Sequence, residues 1–223
     1  MGAARQAPRA LRARRAAPAR APRRRCAGGA QTAGHLALDL RAMACDAYFT
    51  SAHKWLCAPI GTGFLYVRRE VQARLWTTLA SARWDDHADE GFRLMQHGTA
   101  SRSVLEGFDA ALDFHAALGG ATVEARALAL GARLRAGRLA VPGVRVTSPL
   151  APELLTGATV WAVDGLTGTA LQERLWMRGR IRVRSQGAGV RQCCHLYNLP
   201  EELDRTLALA AELAADVRRE RGE

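Results

Sequence analysis

Lysine is nearly absent from this sequence of 223 residues. Of its 32 basic residues, 31 are arginine, and Lys54 is the single exception. The abundance of alanine, glycine and arginine beside this shortage indicates a GC-rich coding sequence that avoids lysine codons. Lys54 has been kept against that bias, which makes it a candidate for chemistry, although an ordinary surface lysine is the simpler alternative.

The sequence also lacks the patterns of a disulfide framework, a metal site and a membrane span. Its five cysteines are an odd number, at spacings that match no metal knuckle, so we expect reduced thiols and no bound metal. The most apolar stretch, residues 45–67, is broken by charged residues, a proline and glycines, which excludes a membrane helix there. A cytoplasmic protein is the resulting expectation.

Acidic residues are missing from the first 25 positions, which hold nine arginines. The formal net charge of +11 therefore falls to +2 over the remaining 198 residues, and no broad basic face is expected there. Residues 1–26 consist mostly of Arg, Ala and Pro, cannot bury a core, and are predicted to be a disordered tail. They lack the apolar segment of a secretory signal and the serines of a transit peptide.

Three origins fit this tail. It could be a basic arm that binds nucleic acid, a solvated tail, or an out-of-frame translation of GC-rich DNA upstream of a fragment. Its composition favours the third, because alanine, arginine and proline are what GC-rich codons yield in a wrong frame. Nucleic-acid binding is expected only through residues 1–25, and no membrane association is expected.

From residue 27 onward the apolar pattern predicts an α/β chain in two parts. Strands are predicted at residues 44–50, 64–67, 144–147, 158–163, 181–184 and 190–195. Helices are predicted at residues 69–80, 101–118, 122–139, 169–177 and 200–218. We expect residues 27–120 to be part of a larger α/β domain and residues 121–223 to be a small α+β domain.

Lys54 lies in the loop between the first two predicted strands. Ser51 and His53 come just before it, and Trp55 and Leu56 follow it. An apolar collar would disfavour the ammonium form and leave an amine that can attack an aldehyde. Ser51 and His53 could donate hydrogen bonds to a phosphate nearby. The loop therefore predicts a buried Schiff-base lysine beside an anion.

The run Ser-Ala-His-Lys-Trp-Leu at 51–56, followed by Pro-Ile-Gly-Thr-Gly-Phe-Leu-Tyr-Val at 59–67, resembles the lysine loop of class V aminotransferases. The resemblance spans residues 27–217 and is to the isopenicillin N epimerase-like branch. It implies the C-terminal part of a fold-type-I enzyme, with the remainder of the large α/β domain and a small α+β domain. It also implies pyridoxal 5'-phosphate held by Lys54, a small amino-acid substrate and a homodimer.

Other positions of the resemblance carry over one at a time. Gln31 matches a residue that contacts the phenolic oxygen of the cofactor. Gly98 and Thr99 match a pair that reaches the cofactor phosphate of the partner subunit, with a plain helix N-cap as the alternative. Arg191 resembles the arginine that grips the substrate carboxylate, which a planar guanidinium binds through two hydrogen bonds. An exposed ion-pairing arginine is the alternative for Arg191.

The sequence departs from the family pattern in two ways. Gly28 stands where the family has the aspartate that pairs with the pyridine nitrogen and makes the ring an electron sink. The family's N-terminal half, which supplies the ring-stacking residue, has no counterpart here. We therefore expect a truncated member whose activity is doubtful.

Within the family, the sequence favours some reactions over others. The resemblance implies an aminotransferase or an amino-acid epimerase, in which Lys54 moves a proton at Cα as general base. A desulfurase is disfavoured, because residues 178–190 contain no cysteine and Cys193 and Cys194 follow Arg191 inside a predicted strand. A non-catalytic remnant that dimerises or binds another protein is the alternative outside enzymes.

Overall fold

The computed structural model describes residues 25–222, and these divide into two compact units, residues 25–121 and 122–222. Residues 1–24, which make up most of the predicted tail, lie outside the described part. No helix among residues 25–222 is long and apolar enough to cross a membrane, and no disulfide occurs there. The assignment of the two units as a partial cofactor domain and a small domain remains a prediction.

The first unit is built on a mixed three-stranded sheet. Its strands are β1 (Cys26–Gly28), β2 (Ala47–Ser51) and β3 (Gly63–Val67), in the order β1-β2-β3. Strand β2 runs parallel to β1 and antiparallel to β3. The helices that follow are α1 (Arg69–Gln72), α2 (Glu90–Met95) and α3 (Arg102–Leu118).

One face of this sheet packs into the core of the first unit. Tyr48 of β2 is 1% exposed, and it packs with Leu56 of the lysine loop and Ala111 of α3. On the opposite face Phe49 and Leu65 are direct cross-strand partners, and more than half of each side chain is exposed. The alternation of buried and exposed residues along β2 therefore fixes which face carries the core.

The second unit packs helices against an antiparallel sheet of order β4-β5-β7-β6. Its elements are α4 (Gly120–Leu139), β4 (Val144–Val146), β5 (Ala158–Val163), α5 (Gly168–Gly179), β6 (Arg184–Gln186), β7 (Gly189–Cys193) and α6 (Pro200–Arg221). Trp161 of β5, Leu175 of α5 and Leu213 of α6 are fully buried in its main core. The predicted α/β class with a C-terminal α+β unit is thus confirmed.

Two of the predicted elements need correction, and one helix was missed. The helix predicted at residues 69–80 ends at Gln72. The buried Arg93 guanidinium donates hydrogen bonds to the carbonyl oxygens of Gln72 and Leu75, which in a longer helix would accept from backbone N–H groups. Helix α2, which carries Arg93, was not predicted. The strand predicted at 181–184 begins at Arg184, since Ile181 is still hydrogen-bonded to Leu175 in the last turn of α5.

Candidate active site

A tight turn after β1 forms the base of the candidate site. The carbonyl oxygen of Gly29 accepts hydrogen bonds from the hydroxyls of Thr32 at 3.0 Å, Tyr48 at 3.1 Å and Thr50 at 2.8 Å. A Cβ at Gly29 would overlap the Tyr48 ring, so only glycine fits there. The turn is therefore anchored to β2, the strand that leads to Lys54.

The lysine loop, residues 52–62, is locked to this turn by one aromatic side chain. Trp55 is 4% exposed, and its ring stacks on His35 with the centroids 3.7 Å apart and the planes 8° from parallel. Its indole N–H donates to the Gln31 side-chain oxygen at 2.7 Å. Gly34 lies so close to the backbone of Trp55 that a Cβ there would be 2.7 Å from it. The turn after β1 and the lysine loop thus form one rigid unit, which we call the platform.

Lys54 is exposed, which corrects the predicted apolar collar. Trp55 and Leu56 are buried beneath the loop, where they belong to the core of the unit, and they do not enclose the amine. Within residues 25–222 Lys54 has no hydrogen bond and no ion pair. His53 is also exposed, and Ser51 is half-buried at the end of β2. The amine is therefore accessible on a loop whose base is fixed.

The Gln31 side chain can still donate a hydrogen bond, as the predicted contact with the phenolic oxygen of the cofactor requires. Its side-chain oxygen is occupied by the Trp55 indole, which fixes the orientation of the amide. The amide nitrogen has no partner among the described residues and remains a hydrogen-bond donor. A donor suits a phenolate oxygen, so Gln31 and Lys54 both fit a pyridoxal-type aldehyde.

Gly28 lacks the carboxylate that the resemblance leads us to expect at its position. It lies on β1, and its Cβ would be 2.9 Å from Cζ of Phe49, its partner on β2. No carboxylate stands there to pair with a pyridine nitrogen, and any side chain would have to displace the Phe49 ring. The described residues thus include an exposed lysine amine and an amide donor that suit the cofactor, but Gly28 offers no group to keep a ring nitrogen protonated.

The remaining predicted residues lie apart from this platform in the chain. Gly98 and Thr99 are exposed, and the Gly98 N–H donates to the Gln96 side chain at 3.2 Å. Ser101 is the N-cap of α3, so Gly98 and Thr99 do not cap that helix. Arg191 belongs to the second unit, on β7.

Arg191 has no acidic partner among residues 25–222. Its direct cross-strand neighbours are Val160 on β5 and Arg184 on β6. Because neighbouring strand residues face opposite sides, Arg191 lies on the face opposite to Gln192. Its half-buried guanidinium is therefore available for an anion, while its position relative to Lys54 remains a prediction.

Sequence reasoning proposed Lys54 and Gln31 as site residues but did not predict the contacts that hold this part of the chain together. It did not single out His35, which stacks under Trp55 and donates from Nδ1 to the Gln31 carbonyl at 3.0 Å. The spacing of Gln31 and His35 by four residues was the available signal. The contact between Gln31 and Trp55 spans 24 residues, and no local pattern reports it.

Comparisons with known proteins agree on one family. The family model for aminotransferase class V matches residues 25–207. Isopenicillin N epimerase from Amycolatopsis lactamdurans is 32% identical over 204 residues, which cover 83% of this chain and 51% of that protein. The chain thus spans about half the length of this curated relative.

Solved structures support the same fold. The apo structure of a cysteine desulfurase from Thermococcus onnurineus NA1 superposes with a TM-score of 0.77 at 23% identity, covering 86% of this chain and 52% of that one. A C-DES mutant with glycine covalently linked to the PLP cofactor gives 0.73 at 26% identity, covering 82% and 50%. The family and the C-DES structure indicate pyridoxal 5'-phosphate as the cofactor. The match over most of its length places this chain in the aminotransferase class V family.

Proposed function

We propose that this chain carries the lysine half of a pyridoxal-phosphate-dependent aminotransferase or amino-acid epimerase. Lys54 would hold the cofactor aldehyde, Gln31 would donate to its phenolic oxygen, and Ser51 and His53 would contact its phosphate. The observation that carries this proposal is the hydrogen bond of 2.7 Å from Trp55 to Gln31, because it fixes the residue next to the lysine against the phenolate donor.

Each residue has a defined task in this proposal. When bound, the cofactor supplies an electron sink for the substrate Cα. The Lys54 amine would act as general base on the substrate Cα proton. Epimerisation would require a proton to return to Cα on the opposite face, whereas transamination would not return it to Cα. The Arg191 guanidinium binds the substrate carboxylate through paired N–H groups. A homodimer would bring Gly98 and Thr99 to the phosphate of the partner subunit.

A desulfurase function has less support. That reaction needs a thiolate, and burial raises the pKa of Cys194 to about 11. Burial also raises the pKa of Cys193, against a smaller opposing effect of Arg191. Both thiols are therefore protonated near neutral pH. This agrees with their place on and after β7, away from the segment 178–190 where a nucleophile is expected.

A non-catalytic remnant is the second candidate, and two observations favour it. Gly28 supplies no partner for the ring nitrogen, and the Lys54 side chain is exposed and has no apolar enclosure. On this view the chain binds the cofactor weakly, turns over little substrate, and acts through dimerisation or protein binding.

Reductive trapping tests whether the pyridoxal-phosphate site at Lys54 is preserved. The purified chain is mixed with sub-stoichiometric pyridoxal phosphate and reduced with borohydride, and the modified peptides are identified by mass. Because Lys54 is the only lysine, the expected result is one adduct on its peptide. Pyridoxal without the phosphate should label it less, if Ser51 and His53 hold that group.

Lys54→Arg is the matched control, since it keeps the positive charge but cannot form the adduct. Labelling confined to the N-terminal amine, or equal labelling by pyridoxal and its phosphate, would contradict a preserved cofactor site. Substantial transamination by the purified chain would contradict the remnant.

A further inference from the structure

Two arginines of α4 are buried in the second unit and take no part in the proposed chemistry. Arg138 is fully buried and Arg135 is 5% exposed. The Arg138 guanidinium lies over the Trp161 ring at 4.2 Å from its centroid and donates to the Gln192 side-chain oxygen. Arg135 donates from Nη1 to the Thr156 carbonyl at 2.7 Å.

Several of their N–H groups are buried without an acceptor in the described part of the chain. These are Nη2 of Arg135 and both Nε and Nη1 of Arg138. A buried donor that loses water without gaining a partner is costly, so such groups are rare in proteins and usually indicate a bound water or ion. Three of them on two neighbouring side chains point to a common acceptor.

The two guanidinium groups contact neighbouring positions of the sheet. Arg135 and Arg138 are three residues apart on α4, which places them on one face of the helix. Arg135 contacts Thr159 and Arg138 contacts Gln192, and these two residues are direct cross-strand partners on β5 and β7. The acceptor-free N–H groups are therefore gathered over one pair of strands.

Among residues 25–222 no carboxylate pairs with either arginine. By contrast, the exposed Arg133 on the same helix binds Asp204 through two of its nitrogens. The ionisable group that interacts with both buried arginines is Cys194, whose burial raises its pKa to about 11, so the thiol is neutral. Burial lowers the pKa of Arg138 to about 9, as expected for a cation without a counter-charge.

We propose that Arg135 and Arg138 bind a small monovalent anion, chloride, in the interior of the second unit. A monovalent ion suits the site because three N–H donors can satisfy it, whereas a phosphate would need more donors and bring more charge. Leu130 and Leu134 on the same helix are buried in an apolar cluster with Cys194 and Leu203. The bound ion would join α4 to β5 and β7 through both arginines.

The effect of anions on thermal stability tests this site in the whole chain. Sodium chloride is titrated against sodium gluconate at constant ionic strength, because gluconate is too large to enter. We expect the melting temperature to rise by roughly 2–4 °C and then saturate, with bromide giving the same response. The ³⁵Cl resonance of the solution should also broaden in the presence of the protein.

Arg138→Met and Arg135→Met should each abolish the chloride response, and Arg133→Met is the matched control that keeps it. If either buried variant does not fold, the ³⁵Cl broadening and the saturable response of the unchanged protein still decide the matter. A melting temperature that follows ionic strength alike in chloride and gluconate, or buried variants that keep the response, would overturn the site.

Discussion

The Trp55 indole decides how Gln31 can act in the candidate site. An amide side chain can present either its oxygen or its nitrogen, and these are opposite in hydrogen-bonding character. Because the indole N–H occupies the oxygen at 2.7 Å, the nitrogen is left for a ligand. The orientation of the Gln31 amide therefore depends on a residue that is next to Lys54 in the chain.

Gln31→Glu keeps the acceptor for the Trp55 indole but removes the donor for the cofactor. A carboxylate still accepts from the Trp55 indole, but it offers no donor to a phenolate and repels it. We expect at least a tenfold loss of pyridoxal-phosphate affinity, since a hydrogen bond to a charged group contributes about 1.5–3 kcal/mol. Absorbance titration measures the affinity, and an unchanged melting temperature shows that the platform is intact. Unchanged binding by the variant would remove Gln31 from the proposed site.

At the level of elements, the start of α6 is held by a network of side-chain hydrogen bonds. Pro200 occupies the first turn, and the Glu202 side chain accepts hydrogen bonds at 3.0 Å from the Leu199 N–H and the Asn198 side-chain amide. Asn198 in turn accepts from the His195 N–H at 2.8 Å. These bonds join the end of the β7 segment to the helix that covers the sheet.

The Glu202 bonds predict a pH-dependent stability. Hydrogen bonds from Asn198 and the Leu199 N–H lower the Glu202 pKa, so the stabilisation is present above the ordinary carboxyl pKa and is lost as pH falls through the lowered value. Glu202→Gln should therefore reduce the melting temperature by roughly 2 °C at pH 7. The difference should vanish in acid, where the native side chain is protonated. Thermal melts from pH 7 to pH 3 measure it, and a pH-independent difference would contradict this account.

Local patterns predicted the elements whose limits are set locally. Helix α3 was predicted to within one residue, because Gly119 adopts a positive φ of 79° at its end. Strand β5 was predicted in full, since its apolar run is bounded by turns. The helix predicted at residues 69–80 was too long, because the end of α1 depends on Arg93, which lies more than twenty residues further along the chain.

The same distinction applies to the site. Lys54 was proposed from its surroundings in the sequence, and Gln31 and Gly28 from the resemblance, but the exposure of Lys54 was not predicted. The side chains of a loop follow no period, so neighbours such as Trp55 and Leu56 can be buried below the backbone without enclosing Lys54. The interior position of Arg138 also escaped prediction, because arginine is a residue type expected at the surface.

At the scale of the whole molecule, charge is distributed very unevenly. The formal net charge is +11, and the eight arginines among residues 1–24 account for most of it. Many arginines of the described part are paired with carboxylates, for example Arg178 with Asp216 and Arg145 with Asp164. The electrostatic attraction of the chain for a polyanion should therefore come almost entirely from its first 24 residues.

Deleting residues 2–24 tests whether this segment provides the attraction for polyanions, because the deletion lowers the formal net charge from +11 to +3. The full chain should bind duplex DNA of any sequence at low salt, with a slope of log K against log salt no steeper than about −7 for eight arginines. The shortened chain should lose this binding while its melting temperature and its Lys54 adduct are unchanged. Fluorescence anisotropy from 20 to 200 mM salt measures both slopes. Equal binding by the two chains would mean that residues 25–223 carry a basic face, which their near-neutral charge argues against.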